Sequence, residues 1–206
     1  MEVKAHPFSN EVPQLLVRHL EQLHQGSGIS IDLIKERGYR SVLDKKELLE
    51  LNFAPRQAHV PGILIPLHGT DGKPAGWQYK PDTPRVSHKG KTMKYENPRG
   101  CAIRLDCPPR CQAMLADPTI PVYFVEGVKK ADSLASRSCC AVTLSGVWGF
   151  KGRNPLGGTT VLADFDYIAL KDREVFVCYD SDYKDNPWVA RALERIVEHL
   201  RRKVHG

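Results

Sequence analysis

Apolar residues recur at helical spacing over 11–25, where Val12, Leu15, Leu16, Leu20 and Leu23 form one stripe before Gly26, Ser27 and Gly28. This spacing predicts an amphipathic helix. A shorter one is predicted over 30–38, with Ser30 as its N-cap and Gly38 past its end, and a third over 44–51. From residue 62 the pattern changes: GILIPL (62–67) and AGWQYK (75–80) read as strands around a turn on Asp71-Gly72. The proline-rich stretch 108–121 reads as a connector. Beyond it, apolar runs alternate with helical stripes: strand 122–125, helix near 128–137, strand 139–144, a Gly-rich loop 145–158, strand 174–179 and helix near 187–203. Such alternation predicts an α/β fold, a mostly parallel sheet flanked by helices with right-handed crossovers. A small α+β subdomain of helices and a β-hairpin precedes it. The expected organisation is therefore 1–107, a connector over 108–121, and a sheet domain over 122–206.

Composition narrows the picture. The chain has 206 residues, 41% apolar and 26% charged, as in an ordinary soluble globular protein, with net charge +6 and a pI near 9.0. The positive balance leans mildly toward a polyanionic partner. No apolar run reaches the length of a membrane span, and the N-terminal sequence lacks a signal-peptide core, so a cytoplasmic location is expected. The six cysteines show neither CxxC pairs nor a Cys/His knuckle. Free thiols are expected and no zinc site. Cys178, inside an apolar run, reads as a small buried hydrophobe.

The chemistry concentrates in VYFVEG (122–127) and VFVCYDSD (175–182). Each is strand-like and ends in acid: Glu126 before Gly127, and Asp180 and Asp182 around Ser181. In open α/β sheets functional groups collect at the carboxyl edge. Three carboxylates gathered there repel one another unless a hard cation sits between them, and Mg²⁺ shared with phosphate oxygens is the usual partner. The pattern points to phosphate chemistry on nucleic acid, although acids past a buried strand are also ordinary solvated turn residues. Residues 76–99 mix Arg85, His88, Lys89, Lys91, Lys94 and Arg99 with Trp77, Tyr79 and Tyr95. This composition suits backbone contact plus base stacking, and equally a solvated basic hairpin. Asp164 and Asp166 form a second acid-x-acid pair. Because more apolar residues follow at once, they read as the approach to the third strand, not as ligands. The glycine-rich loop has no GK[ST] and reads as a mobile or substrate-facing loop, not a phosphate cradle.

The order EG, then LSGVWG after the second strand, then DSD after the third resembles the Toprim domain of bacterial-type primases, topoisomerases and some nucleases. Its wording is nearest to Toprim-like domains of plasmid and phage replication proteins. ILIPLHGTDGKPAGWQYK and KTMKYENPRG are similar to elements in the N-terminal half of a bacterial primase core, so the two resemblances span about 27–206. They imply metal-dependent nucleotidyl transfer on single-stranded DNA, that is, primer synthesis, with Mg²⁺ or Mn²⁺ held by Glu126, Asp180 and Asp182. Lys80 and Lys94 match basic positions that face template or nucleotide phosphates. On the same analogy Arg85 and Lys129 add positive charge, and Trp77 and Tyr79 stack bases. The implied partners are single-stranded DNA, nucleotides and a replicative helicase, with no membrane. Three departures accompany the resemblance. No cysteine-rich zinc ribbon precedes the core. Lys80 stands where the family usually has the bidentate fork of Arg. The chain stops after a helix where a Toprim domain adds another strand, so that domain is expected to be C-terminally incomplete. They leave open a non-catalytic DNA-binding or helicase-tethering module and a Toprim-type nuclease. The basic, aromatic-bearing segment favours the primase over the nuclease.

Overall fold

A computed structural model describes residues 12, 14–88, 90–153, 157–180 and 184–206. The chain divides into two compact units: Met1–Leu67 with Gly76–Cys101, and His68–Ala75 with Ala102–Gly206.

The first unit is built on α1 (Val17–Ser27), α2 (Ile31–Arg37), β1 (Arg40–Val42), α3 (Lys45–Glu50), β2 (Gly62–His68) and β3 (Pro74–Pro81), with the three strands in the order β1-β2-β3. Local chemistry sets the helix ends. Ser30 accepts the Leu33 N–H, Asp44 accepts the Lys46 N–H, and Gly38 closes α2 in the left-handed conformation (φ 80°). The first helix begins at Val17, later than its apolar stripe. Ahead of it the Ser41 N–H donates to the Gln14 carbonyl and the Leu16 N–H to Ser41 Oγ, so this stretch docks on β1 instead of winding. Strand β1, only three residues between two helices, is absent from the sequence reading. Val42, Leu48, Phe53, Leu64 and Tyr79 form the core of this unit. Burying such side chains contributes roughly 1.5–3 kcal/mol each.

In the second unit β4 (Val122–Glu126) lies between β5 (Cys140–Leu144) and β8 (Val175–Cys178), parallel to both. The registers Val122↔Cys140 and Val122↔Val175 align all three carboxyl ends. Alternation then sorts the side chains. Tyr123, Val125 and Ala141 face α4 (Val128–Ala135), where Ala131 and Leu134 meet them. Phe124 faces the other way onto Phe165, which meets His199 of α5 (Pro187–His205). Helices thus flank both sheet faces, as expected. Among the described residues the sheet has three strands, and Asp106 extends it past β5 by an antiparallel bridge to Thr143.

Several expectations change here. Residues 109–116 of the proline-rich stretch form a 3-10 helix inside the second unit, with Cys111 and Leu115 buried. The fully buried Arg173 side chain holds it, donating to the carbonyls of Leu115, Met114 and Ile120, and to that of Ala169. A further antiparallel pair joins the Gly-rich loop to the residues that follow it, β6 (Lys151–Arg153) with β7 (Thr159–Val161). Three-residue strands among glycines leave no periodic signal. Cys178 is exposed, not buried: among the described residues β8 is an edge strand, and Phe176 beside it is 38% exposed. All six cysteines are free thiols.

Replacing Arg173 with Ala strips one donor from each of four carbonyls, that of Leu115 in the buried interior and the other three part-buried. Urea unfolding should show a loss of about 3 kcal/mol or more. Arg173→Lys should restore little, since a single ammonium cannot span four acceptors. Unchanged stability in Arg173→Ala would contradict this account.

A second prediction concerns pH. Buried His19 sits between Ser41 Oγ (2.6 Å) and Asp82 Oδ1 (2.8 Å). Burial lowers its pKa below 6.5, outweighing the Asp82 carboxylate, while Arg18 and Lys80 push the same way as burial. His199 is lowered likewise, by burial first and then by Lys203 and Arg202. Both are therefore neutral in the fold at pH values where the unfolded chain already binds a proton. Stability should be full above about pH 6.5 and fall as pH drops through the folded values. Urea midpoints between about pH 8 and pH 5 should decline on the acid side, and His19→Gln should remove part of that slope.

Candidate active site

The parallel pairing of β4 and β8 brings Glu126 and the 179–180 segment to one edge. Continuing the register past Val125↔Cys178 sets Glu126 opposite Tyr179, with Asp180 one position beyond. The chain leaves β4 through Gly127, at φ 101°, a conformation an L side chain strongly resists, and enters α4 directly. The EG pair is thus a strand-to-helix turn that holds Glu126 at the strand end. Oε1 of Glu126 is buried, and its charge joins burial in raising the Tyr179 pKa. The Tyr179 hydroxyl donates to the Val147 carbonyl (2.7 Å), tying the loop after β5 to the end of β8. Gly149 lets this loop fold tightly, since a Cβ there would collide with the Ser145 backbone.

Asp180 is exposed and ion-paired with Lys130, in the first turn of α4. In VEGVKK two lysines follow the strand-end acid, where a solvated helix face is the ordinary reading; Lys130 pairs with Asp180 instead, and Lys129 beside it is half-buried. Asp182 lies outside the described residues. Among the described residues, no group of three or more His, Cys, Asp and Glu side chains is arranged to hold a metal. The oxygen-only chemistry of Glu126 and Asp180, one carboxylate partly buried and the other at the surface, fits a hard divalent cation better than zinc. The second acidic pair is accounted for internally. Buried Asp164 accepts from Arg104 Nε (2.6 Å), whose guanidinium also pairs with Asp71, and Asp166 pairs with Lys203 (2.8 Å). These residues form a 3-10 helix (Ala163–Tyr167) ahead of β8.

In the first unit the basic residues divide by task. Lys94 is exposed and Lys80 half-buried, close enough to His19 to lower its pKa. Arg18, unforeseen in the sequence, lies in the same group through Asp82 Oδ2 (3.0 Å). Arg85 serves another purpose. Its guanidinium makes a two-pronged contact with Glu96, a carboxylate only 2% exposed (2.6 and 3.1 Å), so it neutralises a buried charge and is not presented to phosphate. Tyr79 is likewise unavailable for stacking. Its ring is fully buried against Phe53, and its hydroxyl donates to the His59 carbonyl. The AGWQYK alternation put Tyr79 and Trp77 on one face of β3, and that face is the core. Trp77 is half-buried against the same cluster, with the Arg40 guanidinium 5.7 Å from its ring centroid.

A family model described as a domain of unknown function (DUF3854) matches residues 111–205. An uncharacterized protein of Picosynechococcus sp. is 27% identical over 145 residues, covering 55% of this chain and 14% of its own length. Three solved structures are similar. The DnaG catalytic core has a TM-score of 0.55 at 16% identity, covering 88% of this chain and 61% of its own. The zinc-binding and RNA polymerase domains of the Aquifex aeolicus primase have 0.53 at 13%, covering 80% and 43%. The E. coli primase catalytic core has 0.52 at 16%, covering 88% and 62%. The chain therefore spans less than two thirds of each of these proteins. At such identities the likeness is one of fold: this is a mixed α/β chain whose parallel sheet, flanked by helices, is built like that of primase catalytic cores.

Proposed function

We propose that this chain is the primase-type core of a replication protein of the plasmid or phage kind, with a Toprim-like second unit that makes primers on single-stranded DNA. The observation that carries the reading is the parallel β5-β4-β8 sheet of a primase-like fold, with Glu126 and Asp180 at the aligned carboxyl ends of neighbouring strands. Glu126, Asp180 and Asp182 would together hold Mg²⁺ or Mn²⁺, which when bound supplies a more acidic attacking hydroxyl and neutralises charge on the leaving pyrophosphate. Lys130 would hold Asp180 in place before substrate arrives, and the buried oxygen of Glu126 would keep that carboxylate oriented. Lys80 and Lys94 would attract template or nucleotide phosphates, with Lys129 adding charge beside the acids. A replicative helicase remains the partner that such a core would serve.

A second reading, a non-catalytic DNA-binding module, draws on one observation: the ion pair with Lys130 already satisfies one of the acids that a cation would need. The two readings differ in primer synthesis. On single-stranded template with labelled ribonucleotides or deoxyribonucleotides and Mg²⁺ or Mn²⁺, the chain should extend primers. Asp180→Ala and Asp182→Ala should abolish synthesis, with template binding intact or slightly tighter once their repulsion of phosphate is gone. Binding without synthesis under every metal and nucleotide condition would sink the polymerase reading and leave the binding module.

Substitutions among the basic residues should separate binding from folding. Lys80→Ala with Lys94→Ala should weaken binding and lower the salt slope by about two, at near-normal stability. Arg85→Ala should instead lower the unfolding midpoint, by about 3 kcal/mol in stability, because it leaves Glu96 charged and buried. An Arg85→Ala variant of normal stability that loses DNA affinity would reverse this assignment.

A further inference from the structure

The chain's most exposed tryptophan is not part of the segment expected to stack bases. Trp188, 64% exposed, opens α5, where the Asn186 side chain caps its N–H (3.1 Å) and fixes its position. Its ring centroid is 5.2 Å from that of Trp148, on the loop that Tyr179 ties to the end of β8. Lys151 Nζ stands 5.3 Å from the Trp148 centroid and 5.2 Å from that of Phe150. Arg191 and Arg195 follow Trp188 at i+3 and i+7, one face of the helix, while Ala192 and Ile196 turn inward and are buried. Trp148, Trp188, Lys151, Arg191 and Arg195 together line a cleft of about 300 Å³. Arg195 shares its guanidinium with Glu198 at 3.3 Å, an exposed and weak pair.

We propose that this cleft is a nucleotide subsite for single-stranded nucleic acid: a base stacks against the Trp188–Trp148 pair, and its phosphate is held by Arg191, Arg195 and Lys151. The preference for a strand rests on the nucleic-acid part of the function proposed above. The chemistry itself is local. Two indole rings inclined at 53° and edged by three cations fit a ligand that is aromatic and anionic at once, the base lying on the exposed Trp188 face, and base–aromatic stacking tolerates any sequence. The volume is at the low end for ligand sites and suits one nucleotide. Packing alone is a poor account of the cluster. The buried indole N–H of Trp148 has no acceptor among the described residues, and most of Trp188 faces solvent, so packing on Phe150 accounts for Trp148 but leaves Trp188 unexplained. Its location adds to the case. The loop carrying Trp148 leaves the carboxyl end of β5, the same sheet edge as Glu126 and Asp180, and Tyr179 at the end of β8 hydrogen-bonds to that loop at Val147.

The test titrates the full chain with a mixed-sequence single-stranded oligonucleotide of about 12 nucleotides, an abasic strand of equal length, and a mononucleotide. Tryptophan emission and anisotropy are followed. The base-bearing strand should quench emission and bind more tightly than the abasic one. Trp188→Ala should weaken it about tenfold, with Trp188→Phe retaining most of the affinity. Arg191→Ala with Arg195→Ala should lower the salt slope by about two, and this variant remains informative should Trp188→Ala destabilise the loop. A mononucleotide that binds as tightly as the strand, with the same sensitivity to Trp188, supports the cleft and assigns it to free nucleotide. Wild-type affinity in both the Trp188 and the arginine variants, with Lys80→Ala and Lys94→Ala weakened, overturns the cleft and leaves the proposed function standing. Binding that depends on Trp188 without any primer synthesis does the reverse.

Discussion

Parallel pairing of β4 with both of its neighbours is the constraint on which the second unit depends. A parallel strand cannot be reached by a tight turn, so each junction needs a crossover, and α4 and the 145–174 segment supply them. The same requirement brings all three carboxyl ends to one edge, where the chain must turn and where side chains reach solvent. Glu126, Tyr179, Asp180 and the Val147 carbonyl meet there because the backbone has nowhere else to send them. At the opposite edge the Val122 N–H donates to the Glu174 carbonyl, and Arg173, next in the chain, gathers four further carbonyls. One buried cation thus fixes the start of β8 relative to the proline-rich segment, and the strand's register follows from that anchor.

Much of this was legible in the sequence, because it follows from periodicity. The strands at 62–68, 122–126 and 140–144 and the helices at 31–37 and 187–205 came from apolar spacing and from caps such as Ser30 and Gly38. The strand-end acids were legible for the same reason, being the polar residues that stop an apolar run. Features that rest on contacts distant in sequence were not. Strand β1 exists because Arg40 pairs with Leu64, and the pair β6–β7 because Lys151 meets Val161; in each, three residues carry no period of their own. Prolines at 108, 109 and 121 signal a break in regular structure, but they cannot say that Arg173, more than fifty residues on, packs that break into the core. Cys178 shows the complementary failure: an apolar strand reads as central whether or not a further strand covers it.

Side-chain roles were less legible than element types, and aromatic and basic residues diverged most. Trp77 and Tyr79 alternate with polar neighbours, a pattern shared by a core-facing strand and a base-stacking platform. Burial of Tyr79 beside Phe53 decides for the core. Trp188 opens the amphipathic helix expected near 187–203, yet at its first turn most of the ring faces solvent, while Val189, Ala192 and Ile196 are buried. An aromatic at the first turn of a surface helix is where the period stops being evidence of burial.

A net charge of +6 is a weak guide to where a polyanion would settle, because many of the cations are already spoken for. Arg173 is enclosed by carbonyls, Arg85 neutralises buried Glu96, Arg104 bridges Asp71 and Asp164, Arg40 pairs with Glu47, and Lys203 pairs with Asp166. These contacts hold elements together, and their fields are largely cancelled at a distance by the partner charge. The long-range field comes from cations whose heads reach solvent. Lys91 and Lys94 are exposed on the first unit, and Arg191 on the helix behind Trp188, beside Arg195, whose pair with Glu198 is the longer and weaker one. Screening over roughly 8–10 Å at physiological salt lets such clusters act locally, each on the phosphates nearest to it. Electrostatics therefore divides the chain's positive charge into cations that fold it and cations left to meet a ligand, a division that depends on tertiary position and not on residue count.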